Sequence, residues 1–311
     1  MTILTLSLNP TIDASSEADV VRPTRKIRTS NETYEPGGGG VNVARAIVEL
    51  GGEAELVCPA GGTSGHMLDS LLGRSGVRRR LVPIAGDTRI SHTVFERSTA
   101  REYRFVPLGP TLSPAGIEAC LAAIETASFD YLVASGSAPP GARPDVLARV
   151  AGIAAARDAK FVLDSSGPGL SVTLERAPVY LVKPNMGEME DMVGRRCDEE
   201  TVGGVAMELV DRGRAEIVAV TMGPAGAVVA SKAGIVRVRA PSVEARSAVG
   251  SGDSFLAAMT LALSREWSLE EATVYAVAAG AAAALTPGTR LCLREDVDRL
   301  YDRLHRAPAA Q

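Results

Sequence analysis

Two glycine clusters hold the residues best placed to do chemistry. In Val249–Met259, VGSGDSFLAAM, Gly250 and Gly252 flank Ser251, Asp253 follows at once, and an apolar helical pattern begins. Successive amide N–H groups at the start of a helix form a cradle for an anion. A carboxylate in the same turn has two readings. It is a plain N-terminal acid favoured by the helix dipole, or it is a base acting on a substrate whose negative charge the amides hold. The dipole is expected to keep the Asp253 pKa low. That is wrong for deprotonating an alcohol in advance but acceptable for phosphoryl transfer. There the transition state is loose, the base takes the hydroxyl proton late, and the amides stabilise charge on the moving group.

The other cluster is EPGGGGVNVARAIVELGG, Glu35–Gly52. Its four glycines let the backbone pass close to a ligand before a helix begins near Val41. No Gly-Lys-Ser/Thr follows, so it is not a Walker A loop. Asn42 stands where the dinucleotide fingerprint wants a third glycine, so it is not that motif either. Asn42, on the first helical turn, can offer both a donor and an acceptor to sugar hydroxyls.

Elements that could carry these clusters are legible along the chain. MTILTLSLNP alternates, with Leu4, Leu6 and Leu8 on one side and Thr5 and Ser7 on the other, which reads as a strand rather than a signal peptide. Apolar runs suited to buried strands start near Glu55, Tyr131, Lys160, Val179 and Glu216. Helical patterns such as Pro144–Arg157 and Thr201–Arg212 lie between them. Strands alternating with helices imply a parallel sheet covered on both faces, with ligands beyond the strands' carboxyl ends. The polar ends Ser135–Ser137, Asp164–Ser166, Lys183–Asn185 and Thr221–Gly223 then line one rim. The Ala-rich Tyr275–Leu285 is too short for a membrane span and reads as a closely packed buried helix. Asp13–Glu35 and Asp87–Val106 break the pattern. They are expected to form a small β-sheet standing off the main domain, or else two long surface loops. HRAPAAQ at the end reads as a frayed tail.

Composition narrows the classes further. The chain has 311 residues, 46% of them hydrophobic, and a net charge of −4. This suits one large α/β domain with a small attachment and argues against a non-specific nucleic-acid binder. Cys58, Cys120, Cys197 and Cys292 form no C-x-x-C pair, and the histidines are scattered. Reduced thiols, no zinc centre and a soluble cytoplasmic protein are expected.

Taken in order, LSLNPTID, PGGGGVNVARAI, YRFV, SGSAPPG, VLDSSG, VKPN with Glu188, TMGPAGA, VGSGDS and TPGTRLC span nearly the whole chain. This series resembles the PfkB-type, or ribokinase-like, carbohydrate kinases. Within that family the tetraglycine, EYRFVPLGP and GTRLC look most like the 6-phosphofructokinase branch. The resemblance implies a ribokinase-like α/β fold, with a mainly parallel central sheet, helices on both faces and a small β lid. Residues 1–12, 36–86 and 107–311 would form the catalytic domain, and 13–35 and 87–106 the lid, which would also clasp a second subunit in a homodimer.

The implied activity is Mg²⁺- and ATP-dependent phosphorylation of a sugar phosphate, foremost fructose 6-phosphate at O1. By this resemblance Asp253 is the base and Gly250, Ser251 and Gly252 are the anion hole, with Ser251 in place of the usual alanine. Asp13, Gly38, Gly39 and Asn42 bind sugar hydroxyls, and Ser137 approaches the phosphorylated sugar. Arg89 grips the phosphate already present, a task suited to its planar fork, with Arg104 and Arg28 as further candidates. Lys183, Asn185, Thr221, Gly223 and Gly226 lie along the nucleotide, and Lys26 reaches a second nucleotide or the neighbouring subunit. Glu188 helps place Mg²⁺ through water, although Asn185 and Glu188 also spell a capping box. Backbone oxygens near Ser247, Val249, Thr286 and Gly288 would hold a monovalent cation such as K⁺. Ala248 replaces a common threonine there. Kinases for tagatose 6-phosphate or fructose 1-phosphate are same-class rivals, and a non-catalytic sugar-phosphate or nucleotide sensor is the rival of another class.

Overall fold

A computed structural model describes residues 1–306. Of the tail anticipated at 305–311, only His305 and Arg306 fall within the described residues, where they end the last helix. In chain order the elements begin β1 (Ile3–Leu6), β2 (Thr11–Ala18), β3 (Ser30–Gly37), α1 (Gly39–Glu49), β4 (Ala54–Ala60), α2 (Gly62–Arg74), β5 (Arg78–Pro83), β6 (Arg89–Glu96) and β7 (Arg101–Phe105). Then come α3 (Pro114–Glu125), β8 (Tyr131–Ser135), α4 (Val146–Ala155), β9 (Lys160–Asp164), α5 (Gly167–Arg176), β10 (Leu181–Val182), α6 (Met186–Val193), α7 (Val202–Asp211) and β11 (Ile217–Thr221). The chain closes with β12 (Ala227–Ser231), β13 (Gly234–Val238), α8 (Ser251–Ser264), α9 (Leu269–Ala284) and α10 (Arg294–Arg306).

Nine strands form the large sheet in the order β13-β12-β11-β10-β9-β8-β1-β4-β5. It is parallel from β11 to β5, and β12 and β13 run antiparallel at one edge. Its strands alternate between two cores: Tyr131 and Val133 face one, Leu132 and Ala134 the other. Leu4, Leu6 and Leu8 likewise share the second core, as the N-terminal alternation required. From β1 the strand order runs one way through β4 and the other way through β8. The switch point, where such sheets open a crevice, therefore lies beyond the carboxyl ends of β1 and β8.

The two irregular segments pair as strands and not as loops. They make a four-stranded sheet of order β3-β2-β6-β7, in which Asp13 lies opposite Glu35 on one side and Ser91 on the other. Glu96, at 3% exposure, fastens one end of it by accepting hydrogen bonds from Val21 N (2.7 Å), Thr99 Oγ1 (2.5 Å) and Tyr103 Oη (3.0 Å).

Close packing around the glycine clusters sets the helices that matter. A Cβ on Gly40 would come 2.2 Å from Leu6 O, and one on Gly39 would come 2.6 Å from Gly136 N, so only glycine lets α1 start against β1 and β8. The Ala-rich helix is α9, buried along most of its length. Its Gly280 leaves room for Ser251 O, which a Cβ there would approach to 3.3 Å. The small residues thus let α9 seat the first turn of α8. Among the described residues no helix is long and apolar enough to cross a membrane.

Candidate active site

The first turn of α8 points into a cleft of about 370 Å³ at the switch point. Gly250 sits at the helix N-cap with φ 77°, in the left-handed region, and a Cβ there would strike Leu291 at 2.7 Å. Glycine is thus required by both conformation and space. Asp253 lies one turn in, and its Oδ2 accepts a hydrogen bond from Asn42 Nδ2 at 2.9 Å. That contact joins the two glycine clusters across 211 residues of sequence. Asn42 is 6% exposed, and its Oδ1 has no partner. One of its two N–H donors is therefore committed to Asp253, and its other N–H and its acceptor remain for a ligand.

Asp253 departs from the expectation of a low pKa. Burial, followed by the charge of Asp164, raises it to about 6 against the opposing pull of the Asn42 hydrogen bond and Lys183. Asp164, expected on the rim, and Asp13, expected in the sugar site, add to the effect of desolvation.

Behind the helix turn lies a buried ion pair. Lys183 Nζ is 3.1 Å from Asp164 Oδ1, with the side chains 6% and 15% exposed. Ser135 Oγ donates to Asp164 Oδ2 at 3.3 Å. A Cβ on Gly252 would come 3.4 Å from Lys183 Nζ, so the ammonium rests against the glycine of the cradle. Burial alone would lower the Lys183 pKa, but the charge and hydrogen bond of Asp164, with Asp253 and Glu188, raise it overall. Lys183 thus stays a cation beside the amides. Asp164 was visible as a strand end on the rim, but nothing in the sequence paired it with Lys183. The pairing arises because β9 and β10 are neighbours in the sheet.

Asp13, Arg89, Arg104 and Ser137 line the same cleft. Gly37 lies so close under Asp13 that a Cβ would come 2.0 Å from its Oδ2. Burial raises Asp13 to about 6, and Arg104, Arg45 and Arg89 pull it down. Arg45 pairs with Glu35 and donates to Pro36 O at 2.7 Å, a cationic backing for Asp13 that the sequence did not reveal. Three carbonyls hold the Arg89 guanidinium: Asn9 O (2.7 Å), Pro107 O (2.9 Å) and Pro10 O (3.4 Å). A guanidinium has five N–H groups, so part of its fork is left for an anion. Arg104 is exposed at the cleft edge.

Glu188 also lines the cleft. It completes the capping box with Asn185, its amide donating to Asn185 Oδ1 and its Oε2 accepting from Asn185 N, both at 2.9 Å. Thr221 ends β11 and bridges to Asn185. Gly223 is exposed at φ 55° with open space around its Cα, as close approach of a ligand needs, whereas Gly226 packs under Val238 O. These turn residues border a separate recess of about 870 Å³ that includes Met222, Ala225 and Arg237 and lacks the α8 cradle. Volume alone therefore does not mark the chemistry. Lys26 and Arg28 lie exposed between β2 and β3 and do not line the cleft.

Beside the cradle, Ser247 Oγ accepts from Val249 N (3.3 Å) and donates to Glu102 Oε2 (3.4 Å). Thr286 Oγ1 lies 2.8 Å from both Ala283 O and Arg290 O, and Gly288 abuts Ser15. The Thr286 hydroxyl is therefore engaged internally, so any cation here would meet mainly backbone oxygens. Among the described residues no cluster of three or more His, Cys, Asp or Glu side chains could hold a metal directly. All four thiols are free, and burial pushes those of Cys58, Cys120 and Cys292 up, away from nucleophilic use.

The chain is similar to known proteins over nearly its whole length. Residues 7–296 match the model of the pfkB family carbohydrate kinases. The chain is 45% identical over 303 residues to the ATP-dependent 6-phosphofructokinase isozyme 2 of Mycobacterium tuberculosis, covering 96% of this chain and 89% of that one. The structure of phosphofructokinase-2 from Escherichia coli in complex with fructose-6-phosphate superposes with a TM-score of 0.93 at 37% identity, covering 98% of this chain and 99% of that one. The same enzyme in complex with potassium gives a TM-score of 0.94 at 38% identity, with coverage of 98% and 99%.

Proposed function

The chain belongs to the pfkB family of carbohydrate kinases, and on that premise we propose that it transfers the γ-phosphoryl group of ATP to O1 of fructose 6-phosphate. The products are fructose 1,6-bisphosphate and ADP. One observation carries the reading: a single cleft is lined both by Asp253, in the first turn of the α8 cradle, and by the carbonyl-braced Arg89.

Arg89, with Ser137 and Arg104 near it, holds the 6-phosphate, while Asp13 and the free Oδ1 of Asn42 take sugar hydroxyls. Gly38 and Gly39 form the wall between them. Asp253 accepts the proton of the O1 hydroxyl as that oxygen attacks the γ-phosphorus. The bond from that phosphorus to the bridging oxygen breaks, and ADP leaves with the electron pair. The amides of Gly250, Ser251 and Gly252 and the Lys183 ammonium stabilise charge on the transferring group. A base near 6 is ionised at neutral pH yet basic enough to accept a proton late.

Asn185, Thr221, Gly223 and Gly226 follow the nucleotide. Mg²⁺ would be carried by the nucleotide phosphates and reached through water by Glu188, which lines the cleft. It would neutralise charge on the β- and γ-phosphate oxygens. Backbone oxygens at Ser247, Val249, Thr286 and Gly288 suit K⁺, a reading supported by the potassium complex of the Escherichia coli enzyme. Phe105, at the end of the small sheet, is 60% exposed, and Leu108 in the segment that follows is 81% exposed, which supports pairing of two lids in a cytoplasmic homodimer and would bring Lys26 to the partner's site.

The test is ADP release by the purified protein with Mg-ATP and, in parallel, fructose 6-phosphate, tagatose 6-phosphate, fructose 1-phosphate and fructose. Highest kcat/KM on fructose 6-phosphate supports the proposal. Preference for another sugar keeps the mechanism and changes the substrate. Nucleotide binding without turnover of any sugar points to a sensor.

A further inference from the structure

Asn9 stands between the strand that opens the sheet and the strand that carries Asp13, and no step above uses it. Its side chain is 5% exposed. Nδ2 donates to Leu108 O at 3.0 Å and to Ser137 Oγ at 3.3 Å. Its own carbonyl accepts from Arg89 Nη2 at 2.7 Å, while Arg89 Nη1 donates to Pro107 O at 2.9 Å. Two chain segments, Asn9–Pro10 and Pro107–Leu108, are therefore laced together twice, once by the Asn9 amide and once by the Arg89 guanidinium. The lacing is tight. Gly109, at φ 94°, passes so close that a Cβ there would lie 2.3 Å from Asn9 Oδ1. Asn9 thus touches both groups at the phosphate end of the cleft, Ser137 through its side chain and Arg89 through its carbonyl, and fixes the carbonyl-bearing segment that orients the latter.

We propose that Asn9 is a positioning residue for the phosphate end of the substrate, setting Arg89 and Ser137 at the spacing a sugar phosphate requires. This rests on the reading of the cleft as a sugar-phosphate site. Without the Asn9 amide, Leu108 O loses its donor and the Pro107–Gly109 segment relaxes. Arg89 then keeps its charge but not its aim. A bidentate grip on phosphate is sensitive to direction, so the loss falls on binding of the phosphorylated sugar. The hydrogen bonds of Asn9 run to Leu108, Ser137 and Arg89 and not to the α8 cradle, so nucleotide binding is expected to be spared.

The test uses the sugar phosphate that the wild-type chain turns over best in the panel above, so a wrong choice of sugar leaves it intact. If the wild-type chain turns over none, the sugar-phosphate reading itself has failed. Asn9→Ala is expected to raise KM for that sugar phosphate by about 5- to 100-fold, the range for unpairing a buried polar group, with much smaller changes in kcat and in KM for ATP. In an Arg89→Ala background the same substitution should add less than about threefold, because its effect runs through the arginine. Gly109→Ala, which presses a methyl against Asn9 Oδ1, should reproduce the sugar-phosphate defect and serves in its place if Asn9→Ala does not fold. Equal losses in kcat and in KM for ATP, an unchanged KM for the sugar phosphate, or full multiplicative addition to Arg89→Ala would each overturn the proposal.

Discussion

Asp253→Asn removes a charge that the fold holds against its own stability, and the size of that effect follows from the site. Burial and the neighbouring Asp164 raise the carboxyl from 3.8 to about 6. A shift of that size costs the ionised native state at most about 3 kcal/mol at neutral pH. The asparagine gives part of this back, because its amide faces Lys183 less favourably than a carboxylate does. A net gain of about 1–2 kcal/mol is expected, or roughly 1.5–3 °C in Tm for a chain of this size.

The pH dependence identifies the source. A carboxyl raised in the folded state keeps its proton there while the unfolded chain has already lost it. The wild type is therefore undisturbed below about pH 4, loses stability progressively from about 4 to 6, and carries the full penalty above 6. Scanning calorimetry of both proteins without ligands, from pH 4.5 to 7.5, measures this directly. The variant should melt higher at pH 7.5, by a margin that narrows toward pH 4.5. An equal or lower Tm at pH 7.5, or a margin independent of pH, would refute the placement of Asp253 as a buried, charge-crowded base.

Three other outcomes follow from the same geometry. Lys183→Met leaves Asp164 buried and unpaired, so it should cost about 3–5 kcal/mol in urea unfolding, while Lys183→Met with Asp164→Asn should recover most of the stability and none of the activity. Removing the Asn42 hydrogen bond, which lowers the Asp253 pKa, should move the acid limb of kcat/KM to higher pH in Asn42→Ala; a limb that stays or moves down contradicts the contact. Glu188→Gln can still accept from Asn185 N and so should melt within about 1 kcal/mol of the wild type, yet need several-fold more Mg²⁺ for half-maximal rate in a metal titration.

What the sequence disclosed were features that the backbone itself demands. The tetraglycine and Gly250 are glycines because α1 and α8 begin where a Cβ would strike Leu6, Gly136 or Leu291. Such positions leave a readable trace wherever the chain is cut. The alternation of Leu4, Leu6 and Leu8 and the strand ends at Ser135, Asp164 and Lys183 were legible for a similar reason, since period and punctuation are local. Pairings across the sheet were not. Asp164 meets Lys183, and Asn9 meets Leu108, only after separate strands and loops become neighbours. The raised pKa of Asp253 belongs to this second class. Its helix-terminal position was plain, but the crowding of carboxylates that outweighs the dipole is a property of the assembled cleft. The antiparallel edge formed by β12 and β13 was likewise hidden, since a short apolar strand does not announce its direction.

The most direct measurement of the central claim is kcat/KM for fructose 6-phosphate with saturating Mg-ATP, in the wild type and in Asp253→Asn. Formation of fructose 1,6-bisphosphate would be followed by ³¹P NMR. The account predicts robust turnover to the 1,6-bisphosphate by the wild type and a loss of about 10²–10⁴-fold in the variant, the usual contribution of a positioned base. Turnover in the variant within tenfold of the wild type, or a product phosphorylated anywhere other than O1, would contradict it.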